Sequence, residues 1–380
     1  MNFGFTEEQE MIRSQAAEFF RQEYPIALAR ELLNDEHGFN DVLWKKMAAL
    51  GWCSLVFPEE YRGAGLTFVE LTVLLEQMGR ALVPGSFFST VVLGGLIIQE
   101  TATTEQKSNW LEAVAEGKLK ATLAHIEPGG SSHTANVSSV IAERDAKGYV
   151  INGTKLFVPD AHVSDLIICT ARTSSSSNSE EGISLFAIDR TNDGLNLTAL
   201  KTMDQTRRVY EVTFDRLHVP ADRMLGGIGS AWPVLEKVFT RATIGICAEM
   251  VGGAQKMLEM CVDYAKQRVQ FGRPIGSFQA IQHKCADMLL FIESARSAVY
   301  AAACAASEDS KDTALLASVA KAYTNDACRF VAGEAIQVHG GMGFTWEHDA
   351  HLYFKRAKAD EFSFGDTSYH RARVAELIGL

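Results

Sequence analysis

Apolar positions recur along this 380-residue chain with two different periods, and the change of period divides it into three parts. From Thr6 to about Lys120 every long apolar stretch repeats at a spacing near 3.6 residues, as in Leu71, Leu74, Leu75, Met78 and Leu82, which is the period of one helix face. Pro25, the loop "FPEEYRGAGLT" (57–67) and Pro84-Gly85 interrupt this pattern without changing it. Residues 1–120 are therefore predicted to form a helical N-terminal domain, entered through a Thr6-to-Gln9 capping box. Near Ala121 turn signals close in: Pro128-Gly129-Gly130, Lys147-Gly148, Asn152-Gly153 and Asp193-Gly194. Between them lie short β-type runs, "YVI", "LIICT" (166–170), "ISLFAI" (183–188) and "VYEVTF" (209–214); in the last, Tyr210, Val212 and Phe214 alternate with polar partners. Residues 121–230 are predicted to be a small central β domain, with "SSSSNSEE" (174–181) as a solvated loop.

After "HVPADRMLGGIGSAW" the helical period returns. Ile244, Cys247, Val251, Ala254, Leu258, Cys261 and Ala265 lay one apolar stripe along a long helix. Ile281 to Val299 and Leu315 to Ile336 mark two more, so residues 231–380 are predicted to be a C-terminal four-helix bundle. The fold class expected is α+β, ordered helical, β, helical, with no internal repeat.

Composition narrows the chemistry. The chain is 47% hydrophobic and 22% charged, as globular proteins are, and its formal net charge of −11 offers no basic face for nucleic acid or an anionic membrane. Seven cysteines are scattered without CxxC or Cys/His clusters, which reads as reduced, mostly buried thiols and no metal site. No basic n-region precedes a small-residue cleavage site, and no apolar run approaches the ~20 residues of a membrane span; "VVLGGLII" (91–98) reads as a buried helix. A cytoplasmic location with no membrane span is the expectation.

Two stretches carry candidate chemistry. In "YAKQRVQFGRPIGSFQ" a helix is expected to end at Phe271-Gly272, with Pro274 blocking its continuation. A plain helix corner accounts for Gly272 and Pro274 but leaves Arg268, Phe271 and the Phe278-Gln279 pair unexplained. An arginine beside an aromatic ring suits a phosphate joined to a flat heterocycle, because guanidinium is a bidentate phosphate donor and the ring a stacking surface. In "IQVHGGMGFTWEHD" (336–349) three glycines among four residues let backbone N–H groups approach an anion, while His339 reads as a hydrogen-bonded structural residue. "LGGIGSAW" (225–232) lacks the GxGxxG spacing and is not expected to leave a strand for a crossover helix, which excludes a Rossmann site.

Together these stretches resemble the acyl-CoA dehydrogenases over nearly the whole chain: "PEEYRGAGL", "EQMGRALVPG", "IEPGGSS", "INGTKLFV", "VTFDRLHVPADRMLG", "RVQFGRPIGSFQ" and "QVHGGMGF" follow one another in the family's order. The resemblance implies FAD as cofactor, an acyl-CoA thioester as substrate, electron-transferring flavoprotein as acceptor and a tetramer built as a dimer of dimers. It places Arg268 and Phe271, helped by Phe278 and Gln279, on the flavin dinucleotide of a neighbouring subunit. Gln337, Gly340 and Gly341 close on the same pyrophosphate, and Phe157, Ser132 and Thr367 complete the FAD contacts. The chemistry further requires a carboxylate base to remove the proton alpha to the thioester.

That base is where the sequence departs from the family. Matching Thr367-Ser368 to the family's "Y-E-G-T" turn puts Gly365 at the Glu and Asp366 at the Gly, while the alternative position on the long helix falls on Ala242, with Thr243 beside it. Glu249 lies further along that helix. Three readings of Asp366 stand: a displaced base, an N-cap for the last helix, or a turn residue in a base-less subunit of a homo- or hetero-tetramer whose related partner supplies the Glu. On the third, the chain is either an acyl-CoA dehydrogenase subunit or an inactive structural subunit completing a partner's FAD site. Phe157-Val158-Pro159 stands where Trp-Ile-Thr is common, so Phe keeps the flavin packing but Pro lacks the hydroxyl and the N–H. Ile126 and His133 likewise replace a frequent Thr and Asp.

Overall fold

A computed structural model describes residues 4–35, 37–131, 133–174 and 179–380. In chain order the helices are α1 Glu7–Glu23, α2 Ile26–Asn34, α3 Asp41–Ala49, α4 Phe68–Ala81, α5 Leu96–Thr101, the short α6 Thr104–Gln106 and α7 Glu112–Ala115, α8 Trp232–Gln267, α9 Gln279–Ser307, α10 Thr313–His339, α11 Ala350–Phe362 and α12 Thr367–Leu377. The strands are β1 Ala121–Ala124, β2 Ile141–Arg144, β3 Gly148–Pro159, β4 Leu166–Arg172, β5 Ile183–Asp189, β6 Leu195–Ala199, β7 Val209–Pro220, β8 Met224–Leu225, β9 Val269–Gln270 and β10 Arg273–Pro274. These form two compact units: Met1–Arg30 with Thr67–Val83 and Thr243–Leu380, and Glu31–Leu66 with Pro84–Ala242.

The first unit is helical. Its α1 carries the Thr6 capping box, and its α4 a second one, in which Thr67 accepts from the Val69 N–H while the Glu70 carboxylate takes the Thr67 N–H at 2.9 Å. Close packing of α4 on α8 depends on two glycines. A Cβ at Gly79 would lie 2.0 Å from the Glu249 carbonyl oxygen, and one at Gly252 would lie 1.8 Å from that of Glu76. Across the bundle Glu76 accepts from Arg296 at 3.0 Å and from the Tyr300 hydroxyl at 2.9 Å, satisfying a carboxylate that is almost fully buried. The apolar stripes on the long helices become buried faces: Met288, Ile292, Ala295 and Val299 on α9, Ala317, Ala320, Cys328, Val331 and Ala335 on α10.

In one respect α9 corrects the sequence reading. It is long and apolar enough, by length and composition, to cross a membrane, with a mean hydropathy of 1.3 over its most apolar stretch. Alanine accounts for this: nine of the 29 residues from Gln279 to Ser307 are Ala, which raise the hydropathy while Glu293 and Arg296 keep one face polar.

The second unit is organised by an eight-stranded sheet, ordered β6-β7-β3-β2-β4-β5-β8, with β1 alongside β4. The β1–β4 and β2–β4 pairs are parallel and the rest antiparallel. Its core gathers Ile151, Val158, Ile167, Phe186, Val212, Phe214 and Leu217, the inward set of the alternating runs. The segment 91–98 lies in a buried helix over Phe88–Thr101 whose first part, Phe88–Gly95, is π-wound. Just before it, the Pro84-Gly85-Ser86 turn docks on Asp160, which accepts from the Ser86 N–H and the Ser89 hydroxyl, each at 2.7 Å. Gly85 is obligatory there, since a Cβ would sit 1.7 Å from the Asp160 carboxylate.

Two local expectations fail. The helix before Phe271 stops at Gln267, and Phe271-Gly272 is instead the corner of the β9–β10 hairpin, with φ +54° and +78°. Both corner residues left-handed is the signature of a type I′ turn, so Gly272 serves a strand pair and not a helix cap. "LGGIGSAW" does leave a strand, the two-residue β8, but β8 pairs antiparallel with β5 and no parallel strand follows, so the absence of a crossover unit stands on that ground. Of the loop 174–181, residues 175–178 lie outside the described residues.

Candidate functional site

Within the helical unit the expected dinucleotide residues sit on two exposed corners. On the first, Arg268 and Gln279 are exposed and the Phe271 ring is 91% exposed at the hairpin tip. The Phe278 ring lies edge-on to Phe271 at 6.1 Å and carries the Arg273 guanidinium 4.2 Å above its centroid. On the second, α10 ends at His339, whose Nδ1–H donates to the Ala335 carbonyl oxygen, 2.7 Å away, as a structural histidine does. Gly340 then takes φ +57° with ψ −138°, a conformation open essentially to glycine alone. Gln337, Gly340 and Gly341 are exposed together, and a Cβ at either glycine would meet nothing within 4 Å.

The last turn of this unit shows what became of the missing carboxylate. Asp366 is the N-cap of α12, its Oδ1 accepting the Tyr369 N–H at 2.8 Å. Gly365 before it has φ +109°, and a Cβ there would lie 2.4 Å from the Tyr369 ring and 2.8 Å from the His370 ring. The turn thus excludes a side chain at the position matched to the Glu. Thr367 opens α12, buried, with its hydroxyl 3.4 Å from the Asp326 carboxylate. Below it Lys321, fully buried on α10, donates to the carbonyls of Asp360 at 2.5 Å and Glu361 at 3.4 Å and to the Asn325 amide oxygen at 2.9 Å. A cation is thereby set against the C-terminal carbonyls of α11, where the helix dipole is negative. Burial pushes the Lys321 ammonium below its ordinary value; Cys247 and Asp360 oppose that. Glu249 lies two turns beyond Ala242 on α8, buried and 3.8 Å from the buried Arg356 guanidinium.

In the sheet unit the segment expected on the flavin side adjoins another buried lysine. Lys155 Nζ meets Glu127 Oε1 at 2.8 Å, the His125 carbonyl at 3.0 Å and the Thr170 hydroxyl at 3.0 Å. Glu127 also accepts from the backbone of Ser138, Ser139 and Val140 and from the Ser139 hydroxyl. Although burial disfavours its charge, Lys155 and these donors outweigh it and hold the Glu127 carboxyl down at about 2. His125, beside Phe239 at 5.0 Å, is held neutral first by burial and then by the Lys155 charge, at about 3. Directly after Lys155 the β3–β7 register slips. Phe157 falls in that bulge at φ +52° and is half exposed, a strained setting for a bulky residue that turns its ring outward from the sheet. Ser132 lies outside the described residues.

Comparison with known proteins supplies the identity of this arrangement. The family descriptions "Acyl-CoA dehydrogenase, N-terminal domain", "middle domain" and "C-terminal domain" match residues 6–118, 122–217 and 229–379 in turn. A probable acyl-CoA dehydrogenase of Bacillus subtilis, YngJ, is 32% identical over 383 residues and all of both chains. The chain belongs to the acyl-CoA dehydrogenase family. Among solved structures, butyryl-CoA dehydrogenase from Megasphaera elsdenii superposes with a TM-score of 0.92 at 27% identity over all of both chains. The ChsE4-ChsE5 complex from Mycobacterium tuberculosis does so with 0.89 at 27%, again over all of both chains.

As an acyl-CoA dehydrogenase family member, an oxidoreductase class, the chain uses FAD, and its residues fit that cofactor. Arg268 has no carboxylate partner among the described residues, Phe271 offers an uncovered ring, and the Gly340-Gly341 backbone is open to a ligand. Sequence reasoning missed both buried lysines. The signal was present: Lys155 shares the inward register of Ile151 on β3, and Lys321 shares the buried stripe of Ala317 and Cys328 on α10. A lysine on an apolar face asks for a partner, and here each has one.

Proposed function

We propose that this chain is the FAD-binding subunit of an acyl-CoA dehydrogenase assembly that takes its catalytic carboxylate from a related, non-identical partner subunit. The observation that carries the proposal is the Gly365-Asp366 turn, in which one residue has no room for a side chain and the other spends its carboxylate on the helix it caps. Glu249 is no substitute, being buried against Arg356. FAD bound there would supply the hydride acceptor for the beta carbon, while the partner's carboxylate would remove the alpha proton to give the enoyl thioester. Arg268, Phe271, Phe278, Gln279, Gln337, Gly340 and Gly341 would hold the dinucleotide, with Phe157 and Thr367 toward the flavin. Electron-transferring flavoprotein is the proposed acceptor. The likeness to a complex of two differently named proteins, ChsE4 and ChsE5, supports a mixed assembly.

The test is to purify the chain alone and with the product of its genetic neighbour, then measure bound FAD and the bleaching of flavin absorbance by acyl-CoAs. Bleaching only in the mixed assembly is expected. Full bleaching by the lone chain ends the proposal, and Asp366→Asn, which keeps the cap while removing the charge, then decides whether Asp366 is the base.

A further inference from the structure

The hairpin that ends in Phe271 carries a second arginine, and its setting differs from that of most arginines on this molecule. Backbone pairing of Gln270 with Arg273 and of the Ile275 N–H with the Arg268 carbonyl fixes the register of the two strands. Since alternate residues of a strand share a face, and directly paired residues share it too, Arg268, Gln270, Arg273 and Ile275 lie on one side of the ribbon. Several surface arginines elsewhere are tied to carboxylates, among them Arg13, Arg62, Arg329 and Arg371, while the exposed Arg144, Arg190 and Arg216 stand singly; what sets the hairpin apart is two such arginines on one short ribbon. Arg268 and Arg273 are both exposed, and among the described residues neither has an ion-pair partner. Two like charges on one face repel, and without a counter-charge the arrangement is a cost that an anionic ligand would remove.

We propose that Arg273 is a second anion-binding residue, acting with Arg268 as a two-guanidinium clamp for the diphosphate of the dinucleotide. This rests on the reading that FAD binds at Arg268 and Phe271. The stack on Phe278, 4.2 Å from the ring centroid, is what prepares Arg273 for the task. Stacking uses the flat face of a guanidinium and leaves its in-plane N–H fork free, so the side chain is already ordered when a phosphate arrives. A diphosphate has two phosphoryl groups, and each can take one fork. Phe278 then contributes by holding an arginine as well as by packing.

The assembled, full-length protein stripped of flavin is titrated with FAD, with ADP and with riboflavin, which lacks the diphosphate. Arg273→Gln is expected to weaken FAD and ADP about tenfold to a hundredfold, the loss of a charge-assisted hydrogen-bond pair, and to leave riboflavin unchanged. Arg273→Lys, which keeps the charge without the fork, is expected to recover only part of the loss and serves if the glutamine variant does not fold. Wild-type ADP affinity in both variants, or an equal loss for riboflavin, overturns the clamp and leaves Arg273 as cover for Phe278. Arg268→Gln is the control on the underlying reading: if it too binds ADP normally, the hairpin is not the dinucleotide site, and that failure is separate from the failure of Arg273 alone.

Discussion

Lys155 in the sheet unit and Lys321 in the helical unit are both wholly buried, both pushed below the ordinary lysine range by burial, and neutralised in different ways. Lys155 is paired with a carboxylate that is itself saturated by four further donors. Lys321 is solvated by dipoles, two helix-terminal carbonyls and an amide oxygen. The difference lies in the group that each lysine touches: a carboxylate in one case, neutral acceptors in the other, with the Asp360 charge acting on Lys321 from a distance. Each also lies beside a segment of the candidate site, Lys155 beside the bulge with Phe157 and Lys321 at the end of α11 before Gly365-Asp366. Buried cations are expensive, and in both units the cost falls next to a turn of the candidate site.

Removing each cation tests this contrast. Lys155→Met should cost about 3–5 kcal/mol in chemical denaturation, because the Glu127 carboxylate stays buried and charged, and adding Glu127→Gln should return part of it. Acid should strain the same region. His125 is neutral in the fold and takes a proton near pH 6.5 when unfolded, so its contribution is full above 6.5 and is lost as pH falls toward about 3. Glu127 adds a second loss as pH falls from 4.5 through about 2. Between pH 6.5 and 4.5 stability should therefore drop by about 1.4 kcal/mol per pH unit on account of His125, and His125→Gln should flatten that slope. Lys321→Met, whose lost hydrogen bonds are to carbonyl and amide oxygens and which removes the cation that the nearby Asp360 carboxylate faces without direct contact, should cost less, about 1–3 kcal/mol; a cost above that of Lys155→Met would break the comparison. Smallest is the cap: Asp366→Ala should lose about 1 kcal/mol while Asp366→Asn loses almost nothing.

Much of the candidate site was legible in the chain. Arg268 with Phe271 and Gln337 with Gly340-Gly341 stand out as pairs of residue types that helix packing does not need, and the structure leaves them exposed. The hairpin was not legible, because "RVQFGRP" satisfies a helix-stop rule and a type I′ rule equally, and only the register between β9 and β10 separates them. Arg273 was overlooked for the same reason: its face follows from a strand pairing that the helix reading does not contain.

What the sequence alone determined is the order of the parts. The periods of 3.6 and 2 fixed helical, β and helical segments, since each is a local consequence of which face must be buried, and the run of motifs fixed the family. It also puts Gly365 and Ala242 at the two positions that the resemblance assigns to the Glu. What the tertiary structure adds is where the Asp366 carboxylate sits, on the N–H of Tyr369 as the cap of α12. Three unrelated demands meet in that turn: Lys321 fastens the end of α11, the Tyr369 and His370 rings fill the space over Gly365, and the free N–H at the start of α12 takes the Asp366 carboxylate. The contacts of Gly365 and Asp366 lie within five residues along the chain and so belong to the local sequence, whereas the Lys321–Asp360 contact joins residues 39 apart and exists only because the fold brings α10 against the end of α11.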